Sequence, residues 1–298
     1  MLNIIQIKRQ IFAIKSTKKV LEAMRLISIT SYPKINKFHE SVVFYRKKLS
    51  KIFNNLIKNS PGLELKLNSR SEHDECNTLL IVIGSSKGLC GSFNSQLQRH
   101  LSDRLALDMH QNYKFVTVGK SANWIISGLK SKVQKLDVVK SIENLNNKNL
   151  NTTTIDILNV ILSKQEKFSN VIVVGNSFKS IFSQKPKIRT ILPIESANFL
   201  NDFNDDTSEL KNEDAISDEL IWEQNSDQII KELHYQYLYA SIYSLLSESI
   251  LSETAARFTA TDAAVINAKK QVDRLSLYYN KQRQSSITRE VTELSSST

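Results

Sequence analysis

The sequence predicts an α/β domain inserted between two long helices that pack against each other. Three observations carry this. Glycine and proline are confined: all seven glycines lie between Gly62 and Gly175, and the four prolines are Pro33, Pro61, Pro186 and Pro193. Nothing after Pro193 is therefore a strong helix breaker. At the N-terminus, Ile4, Ile7, Ile11, Ile14 and Leu21 follow three- and four-residue steps. Between the ends, short apolar runs of strand length alternate with helix-like stretches.

The first element is an N-terminal helix within residues 1–60. Its isoleucine line reads as a coiled-coil seam, interrupted by Lys18. Pro33 predicts a kink or short break. The middle domain spans 73–195. Thr78–Gly84, Lys114–Gly119 and Val171–Gly175 read as buried strands, and Ile188–Pro193 as a weaker fourth. Helical stretches at 93–107, 121–129 and 152–167 separate them, which implies a mainly parallel, Rossmann-like sheet. Residues 60–72 and 196–214 read as polar connectors. The C-terminal arm covers 208–298, and 215–294 is long enough for one helix of about 120 Å. A helix of that length needs a partner. Ala264, Ala268, Val272, Leu275 and Tyr279 continue at three- and four-residue steps, followed by Ile287, Val291 and Leu294. Ala255, Ala256, Ala260, Ala263, Ala264 and Ala268 let another backbone approach.

With 41% apolar and 23% charged residues, the chain has the composition of a folded protein rather than a disordered one. No apolar run reaches the length of a membrane span, and the N-terminus has no signal-peptide pattern, so a cytoplasmic protein is expected. Cys76 and Cys90 form no Cys-x-x-Cys pair, which suits a reducing compartment. The net charge of +10 is unevenly placed. Residues 1–58 carry thirteen Lys or Arg against Glu22 and Glu40, whereas 202–232 are acidic. A basic arm suits an acidic partner surface, a nucleic acid or an anionic membrane, or is simply a solvated face. No nucleic acid is expected as a partner, although Phe44 and Tyr45 adjoin Arg46-Lys47-Lys48 in the basic arm.

No catalytic constellation assembles. Gly84-Ser85-Ser86-Lys87-Gly88-Leu89-Cys90-Gly91 sits where a dinucleotide-binding loop would, between strand and helix, but its glycine spacing is wrong. Gly84, Gly88 and Gly91 read instead as residues of loop geometry. Gly119-Lys120-Ser121 lacks the earlier glycine of a P-loop, since Lys114 stands there. The five histidines are dispersed: His39, His73, His100, His110 and His234. No cofactor and no metal is expected.

The two ends resemble one family. Tyr279-Asn280-Lys281 followed by Arg283-Gln284-Ser285-Ser286-Ile287-Thr288-Arg289-Glu290-Val291-Thr292-Glu293-Leu294 is similar to the C-terminal signature of the gamma subunit of F-type ATP synthases. Ser252–Ala264 resembles the alanine-rich stretch before it, and Ser86–Asn94 the family's glycine loop. Thr17-Lys18-Lys19-Val20 and Ala23-Met24 are similar to its first helix. Glu22, Pro33 and the polar tail Ser295–Thr298 depart from the family pattern.

The resemblance implies an antiparallel coiled coil standing inside a hexamer of alpha and beta subunits. Epsilon, delta and the membrane c-ring would be further partners, at the cytoplasmic face of a bacterial inner membrane. The shaft would turn with the ring and bias the conformations of beta, where the chemistry occurs. It carries over Met24, Arg283, Gln284, Thr288 and Glu290 as contacts with beta, and implies no span and no catalysis by this chain. Two rival readings remain at this stage: a nucleotide-binding α/β enzyme with helical arms, and a coiled-coil adaptor.

Overall fold

The computed structural model describes residues 4–59, 77–107, 112–129, 137–163, 168–193 and 226–296. In chain order these form α1 (Ile4–Asn59), β1 (Asn77–Ile83), α2 (Phe93–Leu107), β2 (Asn112–Val118), α3 (Lys120–Leu129) and β3 (Asp137–Ile142). They continue as α4 (Leu150–Ile161), β4 (Asn170–Ser180), β5 (Ser183–Leu192) and α5 (Ser226–Ser296). Cys76, His73, His110, both connectors, most of the acidic stretch and Ser297–Thr298 lie outside the described residues.

Among the described residues, the terminal helices make the largest interface. Arg25 pairs with Asp262 at 2.8 Å, and His39 Nδ1 meets Ser247 Oγ at 2.8 Å. Numbers rise on α1 as they fall on α5, so the pair is antiparallel. The isoleucine seam extends far beyond the residues that announced it. Ile4, Ile7, Ile11, Ile14, Lys18, Leu21, Arg25, Ser28, Tyr32, Ile35, His39, Val42, Arg46 and Leu49 keep the three–four step, and every one is at least partly covered. Ile7 is fully buried. Lys18 does not interrupt the seam. Its stem stays in line while its ammonium reaches Glu22 at 3.4 Å.

Pro33 does not break α1, which runs unbroken from Ile4 to Asn59. The proline is exposed, and its flanks are held: Tyr32 packs on Phe178 with ring centres 6.1 Å apart, and Ile35 joins the central core. Packing on both sides offsets the roughly 3 kcal/mol that a mid-helix proline costs.

The sheet has the order β3-β2-β1-β4-β5, with β5 alone antiparallel to its neighbour. Two differences from the sequence reading stand out. β3 was not anticipated, because an edge strand with mostly exposed positions needs no apolar run. The pair β4–β5 is a longer hairpin than the apolar runs suggested, continuing to Ser180 and resuming at Ser183. Pro186 sits in β5, where the edge needs no N–H from it. One sheet face packs on α2 and α3 through Leu97, Leu101, Phe115 and Ile125. The other packs on α4 and on α5 itself, through Ile157, Leu238, Ile242 and Leu246. The long helix is thus a layer of the domain as well as half of the coiled coil.

Candidate functional site

The middle of α5 is where shaft and domain join. Residues 244–256 are all buried, although the stretch holds Ser244, Ser247, Glu248, Ser249, Ser252, Glu253 and Thr254. Buried polar groups need partners. Some lie on the helices, where Ser247 meets His39 and donates to the Ser244 carbonyl and Thr254 donates to the Ile250 carbonyl, and others come from the α/β domain. Ser252 Oγ donates to the Asn176 carbonyl at 3.1 Å. Asn176 in turn donates from Nδ2 to the Phe93 carbonyl at 3.3 Å.

Two carboxylates dominate the junction. Glu248 grips the β4–β5 hairpin. It accepts from Ser177 Oγ at 2.8 Å and from the Phe178 N–H at 3.1 Å, and Arg189 Nη1 lies 2.5 Å from its other oxygen. Burial pushes the Glu248 carboxyl up, but the Arg189 charge, that guanidinium's hydrogen bonds and those from Ser177 and Phe178 outweigh it. The net result is a carboxyl held below its ordinary range.

Glu253 grips the loop after β1. It accepts from the Ser86 N–H at 3.0 Å and the Lys87 N–H at 3.2 Å, one to each oxygen, and pairs with Arg257 one turn further on. Arg257 also donates to the Gly88 carbonyl at 3.3 Å.

The loop geometry divides the three glycines. A Cβ on Gly84 would lie 2.7 Å from the Ala122 nitrogen, so a side chain there would push α3 away. Gly91 has a φ of 59°, in the left-handed region. Gly88 differs from expectation: a Cβ there meets nothing within 4 Å and its φ is unremarkable. The left-handed residue beside it is Leu89, with a φ of 61°. The amides that a phosphate would need are engaged by the chain itself, with Ser85 N–H donating to Asn94 Oδ1 at 3.1 Å. Gly119 is held against the same loop, since its added Cβ would lie 2.5 Å from the Gly84 oxygen.

The five residues expected to contact beta fall into two groups. Arg283, Gln284, Thr288 and Glu290 are exposed near the end of α5. Met24 is only half exposed and lines a cleft of about 360 Å³ with Ser28, Lys87, Asn146, Glu253 and Arg257. Arg25 is level with Asp262, so Arg283 stands about 30 Å further along the shaft. The structure does not bring Met24 together with the other four. Ile287, Val291 and Leu294 also depart from expectation. They do not continue the seam but are 50%, 59% and 70% exposed. The register explains this, because it sets Ile4 beside Arg283 and leaves the last turns of α5 beyond the described start of α1.

Sequence reasoning missed Glu248, Glu253, Arg189 and Arg257. The available signal was a pair of acids inside a small-residue stretch, with an arginine one turn after the second. Among the described residues no group of three or more His, Cys, Asp or Glu could hold a metal. No helix there is long and apolar enough to cross a membrane.

Comparison with known proteins places this architecture. The ATP synthase family model matches residues 3–298. A gamma chain from Buchnera aphidicola subsp. Schizaphis graminum is 28% identical over 295 residues, covering 97% of this chain and 95% of that protein. Among solved structures, a central-stalk/c-ring component of the Tetrahymena thermophila mitochondrial ATP synthase is 27% identical, with a TM-score of 0.56. It covers 82% of this chain and 99% of that one. The fold is also shared with the rotor of the Euglena gracilis mitochondrial enzyme, at a TM-score of 0.63 and 16% identity, over 95% and 98% of the two chains. The chain belongs to the ATP synthase gamma-chain family.

Proposed function

We propose that this chain is the central-stalk rotor of a proton-translocating F-type ATP synthase, and that it supplies no catalytic group itself. The α1–α5 pair stands inside a hexamer of alpha and beta subunits. The α/β domain faces the c-ring, with epsilon beside it and delta in the same complex. The assembly sits at the cytoplasmic face of a bacterial inner membrane. Rotation brings different sides of an asymmetric shaft to each beta subunit and biases its conformation through differential contacts. The observation that carries this reading is the contrast along α5: its middle is buried in the domain, while its last turns are exposed on all sides.

Contacts with beta then occur at two levels, Met24 at one and Arg283, Gln284, Thr288 and Glu290 at the other. Polar contacts suit a moving surface, because exposed pairs are worth only about 0–1 kcal/mol and exchange readily. The test is affinity purification of the tagged chain from its native membranes. Alpha, beta and c-ring subunits should travel with it, and Met24→Lys should lower the protons pumped per ATP hydrolysed while assembly persists. Recovery of the tagged chain without those subunits would remove the basis for the rotor reading. Unchanged coupling in Met24→Lys would remove Met24 from the contact set.

A further inference from the structure

The loop after β1 lies where a doubly wound sheet receives an anionic ligand. Strand order diverges there, since β1 is flanked by β2 on one side and by β4 on the other. The N–H groups of Ser86 and Lys87 point at one carboxylate, and that carboxylate comes from Glu253, 167 positions beyond Ser86. Arg257 closes the arrangement by pairing with Glu253 and donating to the Lys87 and Gly88 carbonyls, at 3.4 and 3.3 Å. Successive amides turned toward one point are the geometry that holds phosphate in nucleotide-binding loops. Here the anion is built into the chain.

We propose that Ser86, Lys87 and Arg257 form a carboxylate-binding site whose resident ligand is Glu253, and that this site locks the α/β domain to the shaft so that the two turn as one body. The mechanical half rests on the rotor reading above; the binding half does not. The apolar contacts of α5 with the sheet are non-directional and yield to sliding. A carboxylate held by two amides and a guanidinium is directional and resists it. The site is also reachable from solvent, because Glu253, Ser86, Lys87 and Arg257 line the cleft of about 360 Å³.

That access permits chemical rescue in the full chain. Glu253→Ala removes Cγ and the carboxylate, a fragment with the shape and charge of acetate. The melting temperature of Glu253→Ala should rise by about 2–4 °C in acetate relative to chloride of equal ionic strength, as for any ligand that binds only the folded state. Wild type, whose site is filled, should show no such difference, and Glu253→Ala with Arg257→Ala should lose it. Equal melting in acetate and chloride, or equal rescue with and without Arg257, would overturn the binding site. If Glu253→Ala does not fold, Glu253→Gln keeps the shape without the charge and should melt lower and couple less well. Wild-type melting and coupling in that variant would overturn the proposal. In membranes, Glu253→Ala should pump several-fold fewer protons per ATP while hydrolysis continues. Acetate rescue of the isolated chain with undiminished coupling in membranes would discard the lock and leave the site. Failure of the wild-type chain to assemble with alpha and beta would instead sink the rotor reading.

Discussion

Two stretches of α5 have similar compositions and opposite fates. Residues 244–256 and 285–296 are both rich in Ser, Thr and Glu, with a few aliphatics among them. In the first stretch every residue is buried, with Glu248 reaching the β4–β5 hairpin and Glu253 the loop after β1. In the second nearly all are exposed, and the polar groups bond within their own helix, as Arg289 does with Glu293 at 3.0 Å. The difference teaches that composition does not set the role of a polar helix. A buried polar group must be held in one geometry or its desolvation is uncompensated. An exposed one is free to exchange water for a passing surface.

The largest expected effect is in the buried stretch. Glu248→Ala leaves the Arg189 guanidinium without its carboxylate and should destabilise the isolated chain by about 3–5 kcal/mol, measured by urea unfolding. Equal stability of variant and wild type would mean that the middle of α5 is no more fixed than its tip. Ile7→Ala should cost about 2–5 kcal/mol by the same measurement, because Ile7 is fully buried in the seam. A smaller loss would show that the pair is loosely joined near its free end.

Acid should weaken the junction in a defined order. Burial lowers the His39 pKa below the ordinary 6.5, with Arg46 and Arg189 adding to this and Glu248 and Glu40 opposing it. The unfolded chain therefore binds more protons below that value, so the His39 contribution is present above pH 6.5 and is lost as pH falls toward the folded pKa. Glu248 is depressed too. Its contribution is present above the ordinary carboxyl value of 4.5 and is lost as pH falls through the folded pKa. His39→Gln should flatten the first part of the acid limb and Glu248→Gln the second, read as unfolding midpoints from about pH 7.5 down to about pH 3.

The loop offers a smaller contrast within one turn of chain. Gly84→Ala should destabilise by about 1–3 kcal/mol, since α3 must shift. Gly88→Ala should be neutral or stabilising by up to about 1 kcal/mol, as it only restricts the unfolded chain. A reversal of that order, measured by thermal unfolding, would mean that the loop differs from the conformation described. The smallest effect belongs to the tip. Replacing Ile287, Val291 or Leu294 by Ser should change the stability of the isolated chain by no more than about 0.5 kcal/mol. The same substitutions should alter co-purification with alpha and beta. Stability losses as large as that of Ile7→Ala would place these residues in the seam after all.

Much of the architecture was legible because it follows local rules. The Ile4–Ile14 spacing, the breaker-free C-terminal arm and the Thr78–Gly84 and Val171–Gly175 runs announce their elements directly. β3 was not legible, since Asp137–Ile142 owes its extended form to pairing with β2 rather than to its own pattern. The continuity of α1 through Pro33 was hidden for the same reason, because the packing of Tyr32 and Ile35 decides it. At the candidate site, the exposed tip residues were recognisable as a motif, while Glu248 and Glu253 looked like any acids on a helix.

The sequence by itself determined the periodicities, and with them the helices, the buried strands and the partnership that two such long arms require. It also carried the family motifs, which are contiguous runs of residues. Only the tertiary structure decided where that partnership ends, leaving Ile287, Val291 and Leu294 beyond it, and which polar side chains are fixed. Those outcomes depend on pairs such as Glu253 with Ser86 and Glu248 with Arg189, separated by 167 and 59 positions. A hydrophobic period repeats along the chain and so is written locally. A hydrogen bond between distant residues exists only once the chain has closed the loop between them.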